Sequence, residues 1–260
     1  MDIKSFGCSF IFGSELGSSS NSFTALLGAT VCVAQPGYGN SSISRSVIQS
    51  CEQQIPQAVI VSWTFPTRYE FRFDYLTGQR SGHWYVINPW TAETNLDSIQ
   101  REFVTHNEDV LTDQINTLRR ANSTGIADFA KTYYKHLSSE YWEIYSTLKE
   151  IVYLQNYLKI NNIPYLFTCA DNCIWYNYTI ENADTIIKSL VQQIEKDQDN
   201  WFWFPSGVNP QDTCNPRGFY QWAVENKYPI GTTHPLEQAH QDAALLMQEK
   251  FNAMVKKSIQ

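Results

Sequence analysis

Two side chains far apart in the sequence, Ser9 and His234, have the types and settings that acyl transfer requires. That chemistry needs a nucleophile, a base within hydrogen-bond reach, a group that orients the base, and donors for the oxyanion. Ser9 follows an alternating run at 3–6 that breaks at Gly7, which predicts a strand ending in a tight turn. His234 stands in a loop before the last predicted helix. Because a doubly wound sheet brings such loops to one edge, we expect the two side chains to meet there.

Each of these residues also has a plainer interpretation. A serine after a strand is often the N-cap of the next helix, and a lone histidine before a proline is often a loop or capping residue. The other histidines are weaker candidates for a base, because two lie in a segment without clear periodicity, His83 and His106, and two are predicted on helix surfaces, His136 and His240.

No metal site and no cofactor are predicted. Cys169 and Cys173 are four residues apart, but no second pair of cysteines or histidines lies nearby to complete a zinc site. His234 and His240 do not have the spacing of two ligands on one helix face. The six cysteines are scattered through the chain, which is typical of reduced and mostly buried thiols.

The elements that would position Ser9 and His234 alternate along the chain. After the first strand, apolar runs of strand length occur at 30–34, 58–63 and 164–169. Segments of helical character occur at 23–27, 41–54, 139–158, 183–196, 219–225 and 236–254. The alternation predicts an α/β protein with three layers, α/β/α, around a mainly parallel central sheet of about five strands.

A long insertion follows the third strand, at about 65–138. Its first part is rich in aromatic residues, is broken by glycines and a proline, and predicts a hairpin or an irregular lid. The part at 99–120 has only weak helical character. Long connections in compact domains are often functional covers. Because no break in composition divides the chain, we predict one domain over residues 1–260.

Composition and charge exclude some function classes. The formal net charge is -7, and no stripe of Lys and Arg is present, which argues against a nucleic-acid partner. No apolar run approaches the roughly 18 residues that cross a bilayer, and no signal peptide precedes the first strand, so we expect no membrane partner and a cytoplasmic or virion-associated protein. The 8 Trp, 15 Tyr and 14 Phe residues mostly belong in the core, and some can line a groove for a sugar.

Four short blocks, in their order, resemble those of the SGNH or GDSL-type hydrolases, a superfamily of esterases, lipases and carbohydrate deacetylases. The blocks are Gly7-Cys8-Ser9, Pro36-Gly37-Tyr38-Gly39-Asn40, Ser62-Trp63-Thr64 and Thr233-His234-Pro235. The resemblance implies a flavodoxin-like sheet, with Ser9 as nucleophile and His234 as general base. It also implies that the amides of Ser9 and Gly37 form the oxyanion hole. A cysteine in the first block makes the chain look most like bacterial and phage variants.

The acid that orients the histidine in this family is missing from its usual place. Gly231 stands three residues before His234, where the family usually has an aspartate. His234 is then oriented by a backbone carbonyl, by Asp171 at the end of the fourth strand, or by nothing. Loss of the orienting acid costs on the order of 10⁴ in turnover in other triads.

The oxyanion block is also altered. Thr64 stands where the family has an asparagine, and Asn40 or Arg68 are the residues that could replace its donor. Cys8 replaces the aspartate of the first block, and nothing nearby in the sequence would activate its thiol as a nucleophile.

Two hypotheses from different classes follow. The first is a serine esterase that acts on a small acyl ester, such as an O-acetyl group on a carbohydrate. The second is a hydrolase scaffold that has lost its chemistry and serves as a binding or structural module, for example in a phage particle. The ordered blocks support the first, and the altered acid and oxyanion positions support the second, since a fold does not fix a function.

Overall fold

The computed structural model describes residues 2–73, 83–92, 125–176, 183–205 and 218–257. Its strands are β1 (Ile3–Phe6), β2 (Val31–Cys32), β3 (Ala58–Trp63), β4 (Tyr69–Phe73), β5 (His83–Ile87) and β6 (Tyr165–Cys169). Its α-helices are α1 (Ser9–Phe12), α2 (Phe23–Leu27), α3 (Asn40–Gln53), α4 (Ile126–His136), α5 (Glu140–Ile160), α6 (Cys173–Tyr176), α7 (Thr185–Glu195), α8 (Phe219–Glu225) and α9 (Glu237–Lys257). Single turns of 3₁₀-helix lie at Ser19–Asn21, Pro89–Ala92 and Gln198–Asn200.

The central sheet has four parallel strands in the order β2-β1-β3-β6, which confirms the predicted α/β class. Where about five strands were expected, Trp201 makes one parallel bridge with Phe167 on the free side of β6. The strand predicted at 30–34 is short, because only Val31 and Cys32 pair with β1 at the edge of the sheet, where their side chains are exposed.

Helices cover both faces of the sheet because its strands alternate two sets of apolar side chains. Val59, Val61 and Trp63 of β3 pack into one core with residues of α3, α5 and α7. Ala58 and Ile60 face the opposite core, which is closed by α2, α8 and α9. The result is the predicted three-layer arrangement, with every strand of the sheet ending at the same edge.

The start of several helices follows from polar residues in the sequence. Side chains of Ser22, Ser139 and Asp184 accept hydrogen bonds from amides in the first turns of α2, α5 and α7 respectively. None of the helices in the described ranges is long and apolar enough to cross a bilayer.

The insertion contains the predicted hairpin pairing, because β4 and β5 are antiparallel. A small core of Ile87, Ile126, Ala130 and Tyr133 joins these strands to α4. Residues 74–82 and 93–124, which include His106 and the weak helical segment at 99–120, lie outside the described part of the chain. The single domain over 1–260 remains a prediction.

Candidate active site

Ser9 lies directly beyond the carboxyl end of β1, as the first residue of the short helix α1. The turn needs glycine at position 7, because a Cβ there would lie 2.5 Å from Ile11 Cγ1 and 3.2 Å from the carbonyl oxygen of Ser62. Cys8, not Ser9, is the N-cap, and no side chain caps this helix. The Ser9 hydroxyl is therefore not used for capping.

His234 reaches Ser9 from a tight loop that precedes α9. Ile230 and Pro235 form an antiparallel bridge, and the Gly231 amide donates to the His234 carbonyl over 2.8 Å. The imidazole packs against Phe10 with ring centroids 4.5 Å apart. Its Nε2 lies 2.7 Å from Ser9 Oγ. The structure thus brings together the two residues that the sequence proposed as nucleophile and base.

A carboxylate that the sequence analysis missed lies on the other side of the imidazole. Glu15 Oε1 is 2.7 Å from His234 Nδ1. The same oxygen accepts the Thr233 amide over 3.0 Å and the Thr233 hydroxyl over 2.8 Å. Ser9, His234 and Glu15 therefore form a continuous chain of hydrogen bonds with the connectivity of a serine hydrolase triad.

The charge of Glu15 fixes the tautomer of the imidazole. Burial by itself would raise the pKa of Glu15, but the hydrogen bonds from His234 and Thr233 and the charge of His234 outweigh it and lower the pKa to about 2. An ionised carboxylate only accepts hydrogen bonds, so His234 Nδ1 must carry a proton. In the neutral imidazole, Nε2 then accepts the Ser9 hydroxyl proton, as a general base must.

Gly231 is explained by the same carboxylate. A Cβ at this position would overlap Glu15 Oε2 and would lie 3.2 Å from Leu236 Cδ2. The space beside His234 that a residue at 231 would enter is thus already filled by Glu15. The acid is present, and it comes from the turn after the nucleophile.

Asp171 has a different role from the orienting one considered for it. Its carboxylate accepts the Cys173 amide over 2.8 Å and the side-chain amide of Gln221. These bonds join the end of β6 to α6 and α8. The expectation that Asp171 orients His234 is corrected, because Glu15 holds that position.

Two backbone amides are free to stabilise an oxyanion. Within the described residues, the amides of Ser9 and Gly37 make no hydrogen bond to the protein. Gly37 has a φ of 82°, a conformation that favours glycine, and the space where its Cβ would stand is open. The Ser9 amide lies at the start of α1 and the Gly37 amide in the turn after β2, both at the carboxyl edge of the sheet, as the resemblance implied.

Asn40 and Thr64 support this edge and offer no spare donor. Asn40 Oδ1 accepts the Thr64 amide over 2.8 Å, and its Nδ2 donates to the Thr64 carbonyl and to Thr147 Oγ1 over 3.0 and 3.1 Å. The fully buried Thr64 hydroxyl contacts Cys8 Sγ at 3.2 Å. The expectation that either side chain donates to the oxyanion is therefore corrected, because both fasten the glycine block to the end of β3.

Arg68, the remaining accessory candidate, lies beside this support. Its Nη1 donates to the Tyr38 carbonyl over 2.8 Å and to Thr64 Oγ1 over 3.2 Å. Its guanidinium carbon lies 5.0 Å from the centre of the Phe65 ring. Arg68 therefore holds a half-buried positive charge next to the candidate oxyanion loop.

His240 is not the helix-surface residue that the sequence predicted. It is 1% exposed and lies against the rings of Phe23 and Phe219. Its Nδ1 accepts the Phe23 amide over 3.1 Å. Burial, with a smaller effect of the His234 charge, lowers its pKa to about 4, so the ring is neutral near neutral pH.

Metal ligation finds no support in the described residues, which contain no group of three or more His, Cys, Asp or Glu side chains placed to hold an ion. The described cysteines are all free thiols, and Cys32 is exposed, unlike the buried Cys8, Cys51 and Cys169.

Comparisons with known proteins place few limits on this site. No protein-family model matches the sequence, and no curated protein matches it. Among solved structures, the chain is similar to a psychrotrophic esterase, EstA from Pseudoalteromonas sp., in a structure inhibited by monoethylphosphonate. The two chains share 10% identity and a TM-score of 0.44, over 99% of this chain and 98% of the esterase. A likeness this distant carries no functional argument, so function must be argued from the geometry.

Proposed function

We propose that the protein is a serine ester hydrolase of SGNH type, with Ser9 as nucleophile, His234 as general base and Glu15 as the acid that orients it. The observation that carries this proposal is the Glu15–His234–Ser9 chain, with 2.7 Å between each pair of partners. A chance contact between a histidine and a serine would not require a carboxylate on the far side of the imidazole. Here Glu15 accepts from His234 Nδ1 and from the amide and hydroxyl of Thr233.

The reaction follows from the tautomer. Ser9 Oγ attacks the ester carbonyl carbon while its proton moves to His234 Nε2, and the carbonyl oxygen becomes the oxyanion. The alkoxide then leaves with the proton from Nε2, which gives an acyl-serine. Water attacks this ester, its proton passes to Nε2 and then to the departing Ser9 Oγ, and the acid is released. The free amides of Ser9 and Gly37 supply the oxyanion donors.

We propose a small acyl ester as substrate, such as an O-acetyl group on a carbohydrate. The alternative, a scaffold that only binds or builds a particle, was motivated by the altered acid position at Gly231 and the altered oxyanion position at Thr64. Glu15 removes the first of these motives, because a carboxylate of the right reach is supplied from another position. For the second, we propose that the amides of Ser9 and Gly37 serve as the oxyanion donors without a side chain at position 64.

A fluorophosphonate probe tests the mechanism, because it bonds covalently to an activated serine. We expect labelling of the wild type and none of Ser9→Ala, with loss of 4-nitrophenyl acetate hydrolysis on the order of 10⁶-fold. Ser14→Ala is the matched control, since the Ser14 hydroxyl lies in the turn after α1 and has no hydrogen-bond partner among the described residues. Equal labelling of the wild type and Ser9→Ala, or no labelling of the wild type, would contradict the mechanism.

A further inference from the structure

Arg68 is a half-buried cation that no carboxylate of the described chain neutralises. Its Nη1 donates to two neutral oxygens, while its Nε is buried without an acceptor. Arg45, on the neighbouring helix α3, is instead paired with Glu70 at 2.6 Å. A positive charge removed from water without a counter-ion is costly, and proteins rarely keep one without use.

On one side, the Arg68 guanidinium is linked through Thr64 to the turn that carries Ser9. Thr64 Oγ1, which accepts from Arg68 Nη1, also contacts Sγ of Cys8, the residue before Ser9. The loop at 36–40 packs closely on Arg68, because a Cβ at Gly39 would lie 2.9 Å from the Arg68 Cβ and carbonyl oxygen. Arg68 is therefore fixed beside the turn that carries Gly37, and Thr64 connects it to Cys8, the residue before Ser9.

Aromatic rings connect the guanidinium to the base on the other side. The Phe65 ring, over which Arg68 lies, is 6.4 Å from the Phe10 ring, and Phe10 packs against His234. These rings form one wall between the cation and the imidazole. A substrate bonded to Ser9 that lies along these rings would extend towards Arg68.

Only one of the two terminal nitrogens of Arg68 is used for hydrogen bonds within the described chain. Nη1 is used by Tyr38 and Thr64, but Nη2 makes no hydrogen bond to a described residue. A guanidinium offers paired donors that match a carboxylate better than any neutral group does. The structural contacts of Arg68 with Tyr38 and Thr64 involve only Nη1, so Nη2 remains available for a ligand.

We propose that Arg68 recognises a carboxylate on the substrate, in the acyl part or in the alcohol part of the ester. This inference rests on the proposed function and narrows its substrate class to anionic esters. The two locations share one chemistry, and separate substrates distinguish them.

The experiment compares kcat/KM for matched neutral and anionic esters. The acyl arm compares hydrolysis of 4-nitrophenyl acetate with that of 4-nitrophenyl hemisuccinate. The alcohol arm compares O-acetyl glucose with O-acetyl glucuronate, and the release of acetate is measured. We expect the wild type to prefer the carboxylate in one arm and Arg68→Gln to reduce that preference about 10- to 100-fold. Arg68→Lys should retain part of it, and added salt should weaken it in the wild type.

Arg72→Gln is the control, because it removes the same charge from an exposed position of β4, the strand that follows Arg68, and should leave the preference unchanged. Two results would overturn the proposal while the esterase stands: an active wild type with no preference in either arm, or equal loss on neutral and anionic esters in Arg68→Gln. Absence of both hydrolysis and fluorophosphonate labelling would instead remove the proposed function itself.

Discussion

The acid and the nucleophile of the proposed triad belong to one short stretch of chain. Glu15 stands six positions after Ser9, and α1, which starts at Ser9, is followed by Gly13, whose φ of 77° turns the chain back. The carboxylate needs no strand or helix of its own to reach His234. A residue at 231 then has to be small, because its side chain would compete with Glu15 for the same space.

Replacing Glu15 by Gln should lower kcat for 4-nitrophenyl acetate by about 10⁴-fold, because the amide no longer stabilises the protonated imidazole. Glu237→Gln is the matched control. Glu237 Oε1 accepts the Gly17 amide over 2.8 Å in the same region, and no hydrogen bond joins it to His234. We expect the control to retain kcat within about tenfold, and similar losses in the two variants would show that Glu15 has no special role.

The acid should be transferable between its two positions. Gly231→Asp alone should impair the proposed hydrolysis, because the new side chain overlaps Glu15. Combined with Glu15→Gly, which clears the space, the same substitution should restore at least about tenfold of the activity that Glu15→Gly loses, since an acid effect of about 10⁴ is available to recover. A double variant no more active than Glu15→Gly, with the fold intact by circular dichroism, would contradict this.

At the level of elements, α9 holds the loop of His234 against the turn that follows Ser9. Glu237, at its first turn, accepts the Gly17 amide, and His240, one turn later, accepts the Phe23 amide at the start of α2. His234 is therefore placed by the docking of a whole helix. The two side chains that dock it carry no catalytic function, and both bonds span more than two hundred positions of sequence.

The burial of His240 makes this docking sensitive to acid. Its pKa falls from 6.5 to about 4 on folding. Between these two pH values, His240 is protonated in the unfolded chain and neutral in the folded chain. Stability is therefore full above about pH 6.5 and declines as the pH falls towards 4, by up to about 3 kcal/mol. Glu15 acts mostly at lower pH, because its lowered pKa contributes stability that is lost only from about pH 4.5 down to 2.

Urea unfolding at pH 7, 5.5 and 4.5 measures this decline. His240→Asn keeps an acceptor near the Phe23 amide but does not titrate, so its free energy of unfolding should fall less between pH 7 and 4.5 than that of the wild type. Parallel declines in the two proteins would assign the acid sensitivity to other groups.

At the scale of the whole molecule, the general architecture was predictable and the local chemistry was only partly so. The sheet follows from apolar runs such as that of β3, and the meeting of Ser9 with His234 follows from the common edge of parallel strands. Glu15 was missed because its reach depends on a turn conformation, for which Gly13 was the only local signal. His240 was wrongly predicted on the helix surface, because helical periodicity does not reveal that the Phe23 amide can donate to a buried imidazole.

The two cores should share the stability of the molecule. Ile151 of α5 is fully buried in the core against β3, so Ile151→Ala should lower the free energy of unfolding by about 2–5 kcal/mol. Ile160, at the end of the same helix, is 79% exposed, and Ile160→Ala should change it by less than about 0.5 kcal/mol. Denaturant midpoints measured at an unchanged m-value check both, and equal shifts would mean that α5 does not cover the sheet as described.

The short separation of Ser9 and Glu15 has a consequence for how activity appears during synthesis. A chain growing on the ribosome acquires the proposed nucleophile and acid six positions apart, but the proposed base follows only 219 positions after the acid. Until α9 docks, the serine is an ordinary alcohol next to a carboxylate that has no imidazole to orient. Esterase activity would then report the completion of the fold, and a half-made or C-terminally clipped chain would be chemically silent.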